Sequence, residues 1–253
     1  MEPSLHESKI LITRGAKQAK ALSDKVIALG GIPIEVPLLR ISCKEEAENS
    51  QILHNLHRYK WIFFTSSNGV DCFIQLMEKY HLENLQDIKF AAVGHKTEQA
   101  LKDYGYVPSF IPSIYNADVM AAEFLKDFKD EGPVLLIRGN RSRDVLPTEF
   151  SKHELSFDVL EVYETSFNYD AKDQLNELLK KNEIDFITFT SPSTVEAFVE
   201  MAEVIPEKHY VCIGTTTEQR ALEFGFKSLI TPQEFTTDSM LQAISNYINR
   251  KEG

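Results

Sequence analysis

Along this chain, short runs of consecutive apolar residues alternate with longer stretches in which apolar residues return every three or four positions. The first pattern suits strands covered on both faces, and the second suits amphipathic helices. The runs predict strands at Lys9–Thr13, Ile32–Val36, Trp61–Thr65, Phe90–Val93, Pro108–Ile111, Val134–Arg138, Phe157–Val162, Phe186–Thr190, Tyr210–Gly214 and Ser228–Ile230. Helices fall between them. Ala19, Leu22, Val26 and Leu29 share one helical face, as do Val70, Phe73, Ile74 and Met77. Regular alternation of strand and helix implies an α/β fold with right-handed crossovers.

The pattern also repeats. Ile62-Phe63-Phe64-Thr65-Ser66 and Val70 answer Ile187-Thr188-Phe189-Thr190-Ser191 and Val195. Val93-Gly94 and Thr97-Glu98-Gln99 answer Ile213-Gly214 and Thr217-Glu218-Gln219. Tyr104-Gly105-Tyr106 answers Phe224-Gly225-Phe226, Pro112 answers Pro232, Asp118 answers Asp238, and Arg14-Gly15 answers Arg138-Gly139. Two long repeats imply two similar lobes, since a solenoid needs more and shorter units. Pro37–Ile41 and Glu161–Ser166 are the candidate connections between the lobes.

Length and composition narrow the classes. The 253 residues are 43% hydrophobic and 26% charged, which suits a globular protein of one large or two ordinary domains. The net charge of −11 argues against broad nucleic-acid binding, so an anionic ligand would need cations or backbone N–H groups gathered locally. Cys43, Cys72 and Cys212 are far apart and form no CxxC, which favours buried thiols over a disulfide framework or a zinc site. No signal peptide or membrane-length apolar run is visible, so a cytoplasmic protein without membrane partners is expected.

Candidate chemistry gathers where strands meet helices. Thr65-Ser66, Gly94–Thr97, Thr190-Ser191 and Gly214–Thr217 each place small or hydroxylated residues at a predicted helix start. Such residues cap free N–H groups, and the same groups with the helix dipole attract anions. Capping alone accounts for a single corner; four in matched pairs point to a ligand held in a cleft. Arg138, Arg141 and Arg143 form a basic cluster read either as a solvated helix start or as a carboxylate or phosphate clamp, and Arg14 holds the matching corner. His95 and Lys96 add cationic contacts, whereas His54 and His57 read as an exposed helix end rather than a metal site. Tyr163 lies where the chain leaves one lobe, as a packing residue or a proton donor. GxGxxG, the P-loop and GxSxG are absent.

Taken in order, Thr13-Arg14 with Gln18, Pro37, Thr65-Ser66, Val93-Gly94 with Thr97, Arg138-Gly139-Asn140 with Arg143 and Leu146, Val162-Tyr163, Thr190-Ser191-Pro192, and Ile213-Gly214 with Thr216-Thr217 resemble the uroporphyrinogen-III synthase family. The resemblance covers nearly the whole chain; Gly15 departs from it, since many members carry proline there. It implies two flavodoxin-like α/β lobes with parallel sheets, joined by a two-stranded linker, one lobe being discontinuous. Residues 1–37 and 170–253 would form lobe 1, 44–160 lobe 2, and 38–43 with 161–169 the linker. It further implies cyclisation of hydroxymethylbilane to uroporphyrinogen III, with inversion of ring D, loss of water and no metal or organic cofactor. A monomer is expected. Tyr163 would be the catalytic acid, and Arg14, Ser66, Thr97, Arg138, Arg143, Ser191, Thr216 and Thr217 the substrate-binding residues. The other reading is a two-lobed binding protein that closes on an anionic small molecule without chemistry.

Overall fold

The computed structural model describes residues 3–45, 49–82, 85 and 87–252. By its internal contacts the chain divides into unit 1, Met1–Arg40 with Ser166–Gly253, and unit 2, Ile41–Thr165. Each unit holds one sheet between helices, and the expected α/β class with parallel sheets is what the structure has.

The sheet of unit 1 is built from both ends of the chain. Strands β1 (Lys9–Ile12) and β2 (Ile32–Glu35) join β8 (Phe186–Phe189), β9 (His209–Cys212) and β10 (Leu229–Ile230) in the order β10-β9-β8-β1-β2, with every pairing parallel. Strand alternation fills both faces. Leu11, Ile187, Phe189 and Tyr210 enter one core, and Ile10, Ile12, Phe186 and Val211 the other. Helices α1 (Ala16–Ala28) and α10 (Thr237–Glu252) cover the second face, with Ala19, Leu22 and Val26 buried as their spacing predicts. Edge strand β2 is only partly covered and leaves Ile32 exposed. Thr13 and Thr188 lock β1 to β8 by reciprocal bonds, to the carbonyls of Thr188 (2.6 Å) and Leu11 (2.8 Å) respectively.

Unit 2 orders β3 (Leu39–Cys43), β7 (Phe157–Phe167), β6 (Val134–Gly139), β4 (Trp61–Phe64) and β5 (Lys89–Ala92) side by side. Pairs β4–β5, β4–β6 and β6–β7 are parallel. Strand β3 runs against β7: Lys44 N–H donates to Val162 and Asn168 N–H to Leu38, so the partners' numbers run in opposite directions. Both strands span a boundary between the units. Ile62, Phe64, Leu135 and Ile137 face α3 (Ser67–Lys79), while Trp61, Phe63, Val134 and Leu136 enter a second, phenylalanine-rich core with α5 (Ala117–Phe128) and α6 (Val145–Lys152).

Three expectations are corrected. Pro108–Ile111 makes a single bridge, Ala91 to Phe110; Pro108 has no N–H to give the ladder, and Pro112 follows the segment at once. The strand expected to end at Val162 continues to Phe167, through most of the 161–169 linker segment, and there lies beside β3, the strand of the 38–43 linker segment. Cys43 and Cys72 are joined by a disulfide across 29 residues of sequence; β3 and α3 bring together what spacing kept apart. Cys212 is the buried free thiol that was expected.

Candidate active site

The site is assembled at the carboxyl ends of the strands of unit 2. After β4, Ser66 leaves the sheet in extended conformation and caps α3, its Oγ accepting from Gly69 N–H at 3.1 Å. The same Oγ lies 3.0 Å from the Tyr163 hydroxyl, where either oxygen can donate. Tyr163 reaches this place through an irregularity in the ladder: Arg138 pairs with Glu161, but Gly139 pairs with Tyr163, so the register slips by one residue. A bulge of this kind re-aims a side chain. The ring then lies against Gly139, where an added Cβ would stand 2.3 Å from Cε2 and 2.4 Å from Cζ. Gly69, on α3, borders the ring from the helix, with Cε1 3.7 Å from where its Cβ would be. Only 8% of Tyr163 is exposed.

Its neighbours in the Arg138-Gly139-Asn140 stretch have separate tasks. Asn140 accepts from Thr165 N–H at 2.9 Å and donates to the Thr165 carbonyl, holding the end of β7. Arg138 donates to the Asp144 carboxylate at 2.6 Å and to the Ser142 carbonyl, folding the turn between β6 and α6 onto itself. Around this scaffold opens a cavity of ≈ 380 Å³, with Thr65, Ser66, Tyr163, Tyr115, Asn116 and Arg143 among its lining residues.

Unit 1 carries the corresponding corners. Ser191 caps α8 (Pro192–Met201), and Thr194 closes a capping box with it. Gly214 begins α9 (Thr215–Glu223), as Gly94 begins α4 (His95–Asp103). Arg14 follows β1 and donates to Gln18 at 2.8 Å, which explains that pair of residues one helical turn apart. Burial lowers the Arg14 pKa from its ordinary value, and its Nε is buried without a partner. Gly15 caps α1 with φ −53°, an angle that proline also adopts.

With this geometry in view, comparison with known proteins is decisive. The sequence pattern of the family described as uroporphyrinogen-III synthase HemD matches residues 20–242. A putative uroporphyrinogen-III synthase of Methanocaldococcus jannaschii is 33% identical over 245 residues, 93% of this chain and 97% of that protein. The chain belongs to the uroporphyrinogen-III synthase family. The porphyrin biosynthesis protein HemD of Ruminiclostridium josui is 28% identical over 251 residues, 96% of this chain; the chain spans about half of that relative, 49%. Among solved structures, a mutant uroporphyrinogen III synthase of Thermus thermophilus matches with TM-score 0.66 at 18% identity, covering 96% of this chain and 99% of that one. The Helicobacter pylori uroporphyrinogen-III synthetase gives the same score and identity over 95% and 99%. These two likenesses concern the fold.

Against the resemblance to this family, the structure sorts the expected site residues. Ser66, Arg143 and Tyr163 meet in the cavity of unit 2. Ser191, Thr216 and Arg14 belong to unit 1, with Thr216 exposed and the other two half-buried. Two expectations change. Thr97 and Thr217 are 4% and 1% exposed, so their hydroxyls turn inward; the second turn-forming residues of α4 and α9, Lys96 and Thr216, are displayed instead. Arg138 is committed to Asp144 and Ser142, an acid just past the cluster that the basic run concealed. Nor do the arginines begin a helix, since Asp144 is the N-cap of α6. Arg143 is exposed. Two residues were not anticipated, Tyr115 and Asn116; the available signal was an aromatic residue just before a capping residue in both repeats, Tyr115-Asn116 and Phe235-Thr236. Among the described residues no group of three His, Cys, Asp or Glu is placed to hold a metal ion, and no helix is long and apolar enough to cross a membrane.

Proposed function

We propose that this protein is a uroporphyrinogen-III synthase, a lyase that closes hydroxymethylbilane to uroporphyrinogen III with inversion of ring D and loss of one water, in the haem pathway of the cytoplasm. The observation that carries the reading is Tyr163: a phenol seated on Gly139, bonded to Ser66 and lining a cavity, in a chain of this family. A binding protein without chemistry is not favoured by that family membership.

The arrangement suits the first step. Ser66 Oγ already accepts from Gly69 N–H, so its own proton is available to the Tyr163 oxygen. The phenol proton is then free for the substrate. As the C–O bond of the hydroxymethyl group breaks, its electron pair leaves with the oxygen, and Tyr163 supplies the proton that makes the leaving group water. The developing phenolate is met by the Ser66 hydroxyl at the N-terminus of the 13-residue helix α3, where the helix dipole favours negative charge. The closing ring returns a proton, so the net change is loss of one water. Candidate partners for the substrate's eight carboxylates are Arg143 on unit 2 and, on unit 1, Arg14, Ser191 and Thr216. Holding the chain ends in one geometry is the remaining task, because the free bilane closes by itself to the other isomer.

Mixing the protein with freshly prepared hydroxymethylbilane and resolving the isomers after oxidation tests the proposal. Uroporphyrinogen III in excess of the spontaneous isomer is expected; the spontaneous mixture alone would end the reading.

A further inference from the structure

Tyr115 and Phe235 are large rings left in solvent, 62% and 58% exposed, yet each is firmly seated. They occupy the same place in the two repeats. Gly94 and Gly214, the N-caps of α4 and α9, have φ of −176° and −171°, extended backbone that any residue adopts. What would crowd a side chain there is the aromatic residue: a Cβ on Gly94 would stand 3.1 Å from the Tyr115 Cβ, and one on Gly214 2.9 Å from the Phe235 Cγ. On its other side each aromatic directly precedes the cap of the next helix. Asn116 accepts from Val119 N–H at 2.8 Å, and Thr236 accepts from Ser239 N–H at 3.1 Å. Both rings therefore sit between two helix starts with their outer faces bare.

Burial cannot account for those faces, because they are not buried. Four residues past each cap, Met120 and Met240 are fully buried, so a staple across the first turn can use only the inner part of each ring. Tyr115 also lines the cavity that holds Ser66 and Tyr163. A flat, electron-rich ring flanked by carboxylate arms matches such a platform: the ring packs on the aromatic face, and the arms point toward the N–H groups on either side. Each pyrrole of the bilane has this shape. Resting on the function proposed above, we infer that Tyr115 and Phe235 are pyrrole-packing residues, one on each unit, which orient substrate rings for closure.

The test measures steady-state KM, kcat and isomer ratio with hydroxymethylbilane, thermal unfolding, and binding of a monopyrrole bearing one acetate and one propionate arm by saturation-transfer NMR. Tyr115→Ala and Phe235→Ala should each raise KM by about three- to tenfold, the range for one aromatic contact. They should also release more of the spontaneous isomer and weaken the monopyrrole signal, with the unfolding temperature little changed. Tyr115→Phe and Phe235→Tyr should restore all three readouts. If an alanine variant fails to fold, Gly94→Ala and Gly214→Ala displace the rings without removing them and should raise KM in the same direction. Wild-type KM and isomer ratio in folded alanine variants, or in the glycine variants where those replace them, would overturn the inference while leaving the function intact. A wild-type protein that makes no excess isomer III would overturn the function; the inference would then stand if the monopyrrole binds and depends on the two rings, and would fall if it does not.

Discussion

The corner after β4 in unit 2 and the corner after β8 in unit 1 start from the same residues, Thr-Ser, and end differently. At Ser191, the third helical residue is Thr194, which is almost fully buried and returns the serine's bond to complete a capping box behind Pro192. At Ser66, the corresponding residue is Gly69, which still donates its N–H but leaves space beside it. Tyr163 occupies that side, so the Ser66 oxygen has a second partner. Glycine inside a helix costs about 1 kcal/mol relative to alanine. One repeat has spent its corner on closing a helix, and the other keeps the Tyr163 hydroxyl against it. A duplicated element thus retains its capping role in both copies, while only the unit 2 copy sets a phenol against the cap, where the proposed function places the acid.

The sharpest way to break this contrast is Tyr163→Phe. General-acid assistance is worth about 10²–10⁴-fold in rate, so kcat should fall by that order while the fold is kept. A variant with wild-type kcat, measured where chemistry limits turnover, would return Tyr163 to a packing role and make the two corners equivalent.

Next in size is the disulfide, which only unit 2 has. Closing a loop across 29 residues stabilises by roughly 3–4 kcal/mol in the chain-entropy account. Trp61, the sole tryptophan, is buried in unit 2, so its fluorescence reports that unit alone. Dithiothreitol should shift the tryptophan-detected denaturation to lower denaturant. Burial, with the Glu218 charge adding to it, pushes the Cys212 thiol up to about 12, so native oxidised protein should show no reactive thiol near neutral pH. Rapid labelling of two thiols in native, air-exposed protein would argue against the Cys43–Cys72 bond.

Gly139→Ala should follow. Its Cβ would fall within the Tyr163 ring, and overpacking of this kind costs about 1–3 kcal/mol. Activity should drop with it, since the phenol must move; unchanged tryptophan-detected stability and unchanged turnover would mean that the ring is not seated there. The smallest effect belongs to unit 1. Thr194→Ser, which keeps the hydroxyl of the capping box, should cost less than Thr194→Ala, the difference being about 0.5–1.5 kcal/mol by far-UV circular dichroism. Equal stability of the two variants would remove the capping box as the distinction between the corners.

The sequence alone determined the alternation of strands and helices, the duplication, and the hydroxylated corners, because each is written in local periodicity or in adjacent residues. Ala19, Leu22 and Val26 face a core as their spacing requires, and Ser66 and Ser191 cap the helices they precede. Local pattern was silent on whatever depended on register or on distant partners. Ser66 and Tyr163 are 97 positions apart, and only a one-residue slip between β6 and β7 brings the phenol over Gly139. Arg138 looked free until Asp144 folded back to meet it, and Thr97 and Thr217 looked available until their helices turned them inward. The Cys43–Cys72 bond and the Tyr115 seat on Gly94 arise the same way. Pairing register, helix rotation and the space left by a missing Cβ are properties of packed elements, and no single segment carries them.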